Sequence, residues 1–177
     1  MKAVLISIQP KHCDNICSYK KETEVRKKMP KLDNPFKCYI YETQGRTETP
    51  FIDEEGHHIF KGRGQVIGEF ICDRIETFTF GYHVGYRITP DELQKTCLTQ
   101  DELMDYGRGD TLFGWHISNL VIYEQPKELS DFVKPCNHSN DCCTCDRYDY
   151  MGHRCYDKVT RPPQSYLFVE ELKGETE

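Results

Sequence analysis

Lys20-Lys21-Glu22-Thr23-Glu24-Val25-Arg26-Lys27 is the stretch on which the reading of this chain turns. Thr23, Val25 and Lys27 alternate with Glu22, Glu24 and Arg26, and a period of two is the period of a β-strand. One face of this strand is strongly charged, with both signs on it. A short helix precedes it. Pro10 suits a first helical turn, and Cys13, Ile16 and Cys17 share one face at i, i+3 and i+4, which predicts a helix over 10–19. A strand that points Glu24 and Arg26 the same way beside a helix end forms the wall of a polar cleft.

Outward from this wall, strands dominate. Ala3 to Ile8 is a β-branched run and predicts a buried strand. Phe36 to Tyr41 and Gly64 to Cys72 predict two more, and Gly68 inside the second marks a bulge or a bend. Gly45 to His58 reads as a polar excursion or hairpin, and Ile75 to Tyr82 as a continuation of the sheet. Thr89-Pro90-Asp91-Glu92 and Thr99-Gln100-Asp101-Glu102 are two helix starts, the second a capping box with Leu103, Met104 and Tyr106 behind it and Gly107 and Gly109 at its end. Gly114 to Tyr123 predicts one long late strand, and Tyr166 to Glu170 a terminal one. Strands are not regularly separated by helices, so the predicted class is α+β, a small mixed β-barrel flanked by short helices, rather than a doubly wound sheet.

Length and charge narrow the function. A chain of 177 residues holds one domain with a real core. No run approaches the roughly 18 apolar residues of a membrane span, and Met1 to Ile8 is too short for a secretory signal. A cytoplasmic protein with no membrane partner is therefore expected. The net charge of −6 argues against a generic polyanion binder, but residues 1–37 carry nine Lys/Arg against four acids, a local +5. A basic patch on an acidic protein still suits a phosphate-bearing ligand.

Lys21-x-x-Glu24-x-Arg26 after a short helix resembles the signature of ASCH domains, which belong to the PUA-like barrels. Gln9-Pro10-Lys11, the segment Gly114-Trp115-His116-Ile117-Ser118 and Arg161-Pro162-Pro163-Gln164-Ser165 are similar to a longer bacterial and phage-type subgroup. The signature glycine falls at Tyr19 here, so the turn needs another geometry or some strain, and an aromatic residue common in the subgroup is His12. The resemblance spans residues 1–134 and 159–172, leaving an insert at 135–158 and a tail at 173–177. It implies a cleft between the first helix and the barrel that binds RNA or a nucleotide-type ligand through Lys11, Lys21, Glu24, Arg26, Trp115, His116, Ser118, Gln164 and Ser165. The chemistry agrees. Arg26 can grip phosphate in a fork, Lys21 supplies a point charge, and Glu24 can accept from a base amino group. Trp115 could stack a base or sit in the core. His116 alternates to the opposite face and is the better cleft residue if Trp115 is core.

The same cleft could serve a small hydrolase or ribonuclease, with Lys21, Glu24 and His116 as acid–base candidates. Some ASCH proteins resemble N4-acetylcytidine amidohydrolases that use a threonine nucleophile at the position of Glu24, and a carboxylate cannot take that role. Any polar RNA cleft offers these residues, so a binding module is favoured over a catalyst.

Ten cysteines without a signal argue against a disulfide framework. Cys13, Cys17, Cys38, Cys72 and Cys97 are scattered and read as buried thiols. The others cluster. Cys142-x-x-Cys145 is a knuckle-type pair that Cys136 and Cys155 could complete around a structural zinc ion, with His138, Cys143 and His153 as alternates. Such a polar insert has little apolar content, and metal binding would supply its folding free energy. It could also dock a protein partner.

Overall fold

The computed structural model describes residues 1–44, 62–135 and 158–172, with the backbone of 51–52 and 58–59. The elements run β1 (Lys2–Ile8), α1 (Pro10–Cys17), β2 (Thr23–Arg26), β3 (Phe36–Glu42), β4 (Phe51–Ile52), β5 (His58–Ile59), β6 (Val66–Cys72), β7 (Ile75–Phe78), β8 (Phe80–Gly81), β9 (Gly85–Tyr86), α2 (Pro90–Thr96), α3 (Gln100–Gly107), β10 (Leu112–His116), β11 (Ser118–Lys127), a 3-10 turn (Leu129–Asp131) and β12 (Tyr166–Glu170). The class is α+β and mostly sheet.

A five-stranded sheet has the order β11-β6-β3-β1-β12, with β1 and β3 parallel and the other neighbours antiparallel. A three-stranded sheet has the order β2-β10-β7. β4 pairs with β5 and β8 with β9 as two-stranded ribbons. The expected closed barrel is not formed: among the described strands, β11 and β12 remain open edges of the larger sheet. The break falls inside the stretch that predicted one late strand. That stretch is two strands, β10 in the small sheet and β11 in the large one, with the corner at Ile117, whose N–H donates to Glu22 O at 2.8 Å. The strand-forming pattern of 114–123 carries no sign of where the chain changes sheets.

Period-two alternation along β1 sets up the layers. Val4, Ile6 and Ile8 enter a core shared with Cys38, Ile40, Phe70 and Trp115 and closed on one side by Cys13 and Ile16 of α1. Ala3 and Leu5 enter a second core on the other face, with Tyr39, Phe132 and Val159. A third joins Val25, Phe78 and Leu112 of the small sheet to Tyr86 of β9 and Leu103 of α3. Gly68 lies where the β3–β6 register slips, and a Cβ there would stand 2.4 Å from Val121 O. Cys13, Cys38 and Cys72 are buried thiols as expected, whereas Cys17, at the last position of α1, is exposed and Cys97, at the left-handed cap of α2, is only half-buried.

Both predicted capping boxes form, Thr89 with Glu92 and Thr99 with Glu102. The end of α1 is less ordinary. Tyr19 sits at φ 57°, in the left-handed region, and its N–H donates to Ile16 O at 2.9 Å. A non-glycine residue there costs about 1 kcal/mol. The turn it makes lets the Lys20 and Lys21 amides return to Asn15 O at 2.9 and 3.0 Å, which delivers Lys21 to the start of β2.

Candidate functional site

The charged face of β2 points inward. Across the β2–β10 ladder, Glu24 stands opposite Trp115 and Arg26 opposite Phe113, so Glu24 shares its sheet face with a fully buried tryptophan. Thr23 and Val25 take the other face. Glu24 and Arg26 therefore lie at the open end of the space between the two sheets. Lys21, Glu24 and Arg26 are all less than 10% exposed.

Three charges in such a place need partners. Glu24 Oε1 is ion-paired with Arg26 Nη2 at 2.9 Å, and Glu24 Oε2 with Lys21 Nζ at 3.4 Å. Lys21 Nζ also donates to Thr96 O at 2.5 Å, a carbonyl of the last turn of α2, where the helix end carries partial negative charge. Arg26 Nη2 also donates to Ser7 O at the end of β1, at 2.6 Å. Burial pushes the Glu24 carboxyl upward, but Lys21, Arg26 and His12 outweigh it and hold its pKa below the ordinary value.

The trio floors an open cavity of about 280 Å³. Ser7, Ile8 and Gln9 at the end of β1 form one wall, His12 of α1 another, and Leu98, Glu102 and Tyr106 the side toward α3. Lys11 is exposed and bridges to Glu102 at 3.5 Å on the rim, a contact worth little in water. His12 has its pKa lowered, chiefly by burial and then by Lys21, so its imidazole is neutral at neutral pH and carries one donor and one acceptor. Among the described residues, four buried side-chain atoms have no hydrogen-bond partner: Arg26 Nε, Glu24 Oε2 (ion-paired with Lys21) and His12 Nδ1, whose residues line this cavity, and Trp115 Nε1, whose residue does not.

Of the sequence candidates, Lys21, Glu24 and Arg26 meet here, with Lys11 at the rim. Trp115 does not line the cavity. Its ring is packed against Phe36 and Tyr166, with centroids 5.8 and 5.4 Å away, so no face is open to a base. His116 is elsewhere too. Its register with Thr23 puts it on the far face of the small sheet, where Nδ1 lies 2.6 Å from Asp73 Oδ1 and 3.1 Å from Arg74 Nη1. The face opposite Trp115 is thus the face away from the cavity. Ser118 Oγ donates to Ile71 O within the sheet, at 2.8 Å. Gln164 and Ser165 stand behind Ser7, whose amide donates to Ser165 O at 2.9 Å, and Gln164 is exposed.

His12, Glu102 and Tyr106 line the site without having been singled out for it. Glu102 and Tyr106 are spaced i, i+4, the one signal that could have placed them on a common helix face. The proposed zinc ligands Cys136, Cys142, Cys145 and Cys155, and the alternates His138, Cys143 and His153, lie outside the described residues. Val133 and Lys158, which flank that segment, pair in an isolated antiparallel bridge. Among the described residues, no helix is long and apolar enough to cross a membrane, and no group of three or more His, Cys, Asp or Glu side chains converges as a metal site.

This architecture is that of the ASCH proteins. The chain is similar to the crystal structure of ASCH from Zymomonas mobilis, with a TM-score of 0.51 and 18% identity over 96% of this chain and 88% of that one. A serine-to-alanine mutant of that protein aligns with a TM-score of 0.56, at 18% identity over 96% of this chain and 89% of that one. A tyrosine-to-phenylalanine mutant aligns at 0.52, with 18% identity over 97% and 92%. No family model matches the chain, and no curated protein does. At this identity the likeness establishes the fold.

Proposed function

We propose that the cavity floored by Lys21, Glu24 and Arg26 binds RNA or a nucleotide-type ligand, one nucleoside-sized unit at a time. The observation that carries this reading is the set of unpartnered polar atoms around one cavity. Buried polar groups in folded proteins nearly always have partners; Arg26 Nε and His12 Nδ1 have none among the described residues, and Glu24 Oε2 has only the 3.4 Å ion-pair contact with Lys21 Nζ. A nucleotide supplies the complement. Its amino groups donate to a carboxylate, and its carbonyl or phosphate oxygens accept from a guanidinium. The volume, about 280 Å³, is at the small end for ligand sites, which run from roughly 300 Å³. The ASCH fold, with its PUA-like relatives, adds support by analogy.

The test is fluorescence polarisation with a short single-stranded RNA, comparing the native chain with Arg26→Lys. Lysine keeps the charge that balances Glu24 but loses the planar fork. Binding should weaken about tenfold or more, the scale of one charge-assisted hydrogen bond. Unchanged affinity in a folded Arg26→Lys protein would refute the cleft.

A hydrolase or ribonuclease acting through the same cleft is the second reading, and His12 favours it. A neutral imidazole beside a lysine and a carboxylate can move a proton at neutral pH, the role first considered for His116. The thiol and imidazole donors at 136–155 also suit a structural zinc ion, with roughly one zinc per chain expected from metal analysis. Docking of a protein partner through that segment is a separate alternative, in which the cleft itself would bind nothing.

A further inference from the structure

We infer that the cleft takes its ligand as one unit of a single-stranded nucleic acid, whose phosphates run over a basic lip made by the loops at 27–31 and 161–165. This rests on the reading of the cavity as a nucleotide site and says what lies beyond its mouth. Lys27, Lys28, Lys31 and Arg161 are all exposed. Among the described residues none of the four has an acidic partner, a state they share with Lys20, Arg87 and Arg108, whereas Lys11 on the cavity rim and Lys37, Arg74 and Lys95 elsewhere are each paired with one.

Two loops from distant parts of the sequence bring these cations to one place. The first leaves the cavity floor directly: Arg26 lines the cavity, and Lys27 Nζ lies 5.4 Å from the ring centroid of Tyr106, which lines it as well. The second hangs on the cavity wall, because Ser7 Oγ donates to Pro163 O at 2.6 Å and Ser7 N to Ser165 O at 2.9 Å. The loops are also tied to each other, with Tyr166 Oη donating to Met29 O at 3.1 Å. The two loops that carry the four positive charges are therefore both anchored on residues lining a cavity too small for more than one nucleoside. Lys27 packs over Tyr106, but none of the four charges is offset by an acidic partner among the described residues, on a chain whose net charge is −6. A phosphodiester strand entering the cavity with one base would neutralise them. Tyr106, 40% exposed at the same mouth, offers a ring for the neighbouring base, the stacking role that buried Trp115 cannot take.

The test uses the full chain and its K27Q/K28Q/K31Q variant, with thermal melting to confirm that both fold. A labelled single-stranded oligonucleotide, as RNA and as DNA, is titrated by polarisation across a salt series. Nucleoside monophosphates are titrated separately by calorimetry. In the variant, oligonucleotide affinity should fall about tenfold or more and the slope of log K against log salt should flatten by about 2, from roughly 0.7 per lost phosphate contact. Monophosphate binding should not change. That pattern, with either oligonucleotide, supports the lip. A wild-type chain that binds oligonucleotide with an affinity and slope the variant retains overturns the lip and leaves the cleft. So does a chain that binds monophosphates but no oligonucleotide. Binding of neither overturns both.

Discussion

Replacing Glu24 by alanine should destabilise the protein by about 3–5 kcal/mol, the cost of stripping one partner from a buried ion pair. Among the described residues, the carboxylate is the only acid paired with Lys21 Nζ, at 3.4 Å, and with Arg26 Nη2, at 2.9 Å. Without it two cations stay buried with only the Thr96 and Ser7 carbonyls to accept from them. For a domain of this size each kcal/mol moves the melting temperature by about 2–4 °C, so a drop of about 10 °C is expected. Lys11→Ala, an exposed change, should move it by less than about 0.5 kcal/mol. Equal effects of the two substitutions would mean that the trio is not the buried network described. The pH dependence has a definite sign. The folded-state pKa of Glu24 is depressed, so its contribution is complete above the ordinary glutamate value, near 4.5, and is lost as the pH falls through the lower folded-state value. Acid melting curves of the native chain should show that loss, and Glu24→Ala should show less of it.

Trp115→Ala should cost a comparable amount, about 3–5 kcal/mol, as expected for emptying an aromatic site in a packed core. Trp115 is fully buried between Phe36 and Tyr166 and belongs to the core shared by the two sheets. The informative comparison is with Trp115→Phe, which keeps an aromatic ring and should retain ligand affinity. A base-stacking tryptophan would behave in the opposite way. Its truncation would cost about 1–3 kcal/mol of binding and little stability. Since this is the only tryptophan in the chain, intrinsic fluorescence gives a second readout, and acrylamide should quench it weakly with or without ligand. Strong quenching that a nucleotide relieves would put the ring in the cleft.

What could be read in the sequence follows from which signals are local. The alternation of Glu24 and Arg26 with Thr23 and Val25 is a period-two pattern, and it placed the charged face correctly because a strand has only two faces. The threonine-to-glutamate boxes that start α2 and α3 are closed within four residues, and both form. At Tyr19 the sequence leaves open another turn geometry or some strain, and the left-handed φ of 57° is the strained alternative. The corner at Ile117 was not legible, since it is made by a hydrogen bond to Glu22, almost a hundred residues away in the chain. The same gap misplaced His116. Alternation gives its face relative to Trp115, but only the packing of the two sheets shows which of those faces meets the cavity. His12 and Tyr106 escaped for a related reason. Each lies on a short helix whose pattern records the core, and the cavity is formed where four separate elements, β1, α1, β2 and α3, converge.

The most direct test of the cleft is amide chemical-shift mapping by NMR as a short single-stranded RNA is added to the native chain. A ligand held by Lys21, Glu24 and Arg26 should move the amides of Ser7, Gln9, His12, Arg26 and Tyr106 most, with little change at His116 and Asp73. Shifts centred on His116 and Asp73, with the cavity residues unmoved, would contradict the assignment of the site.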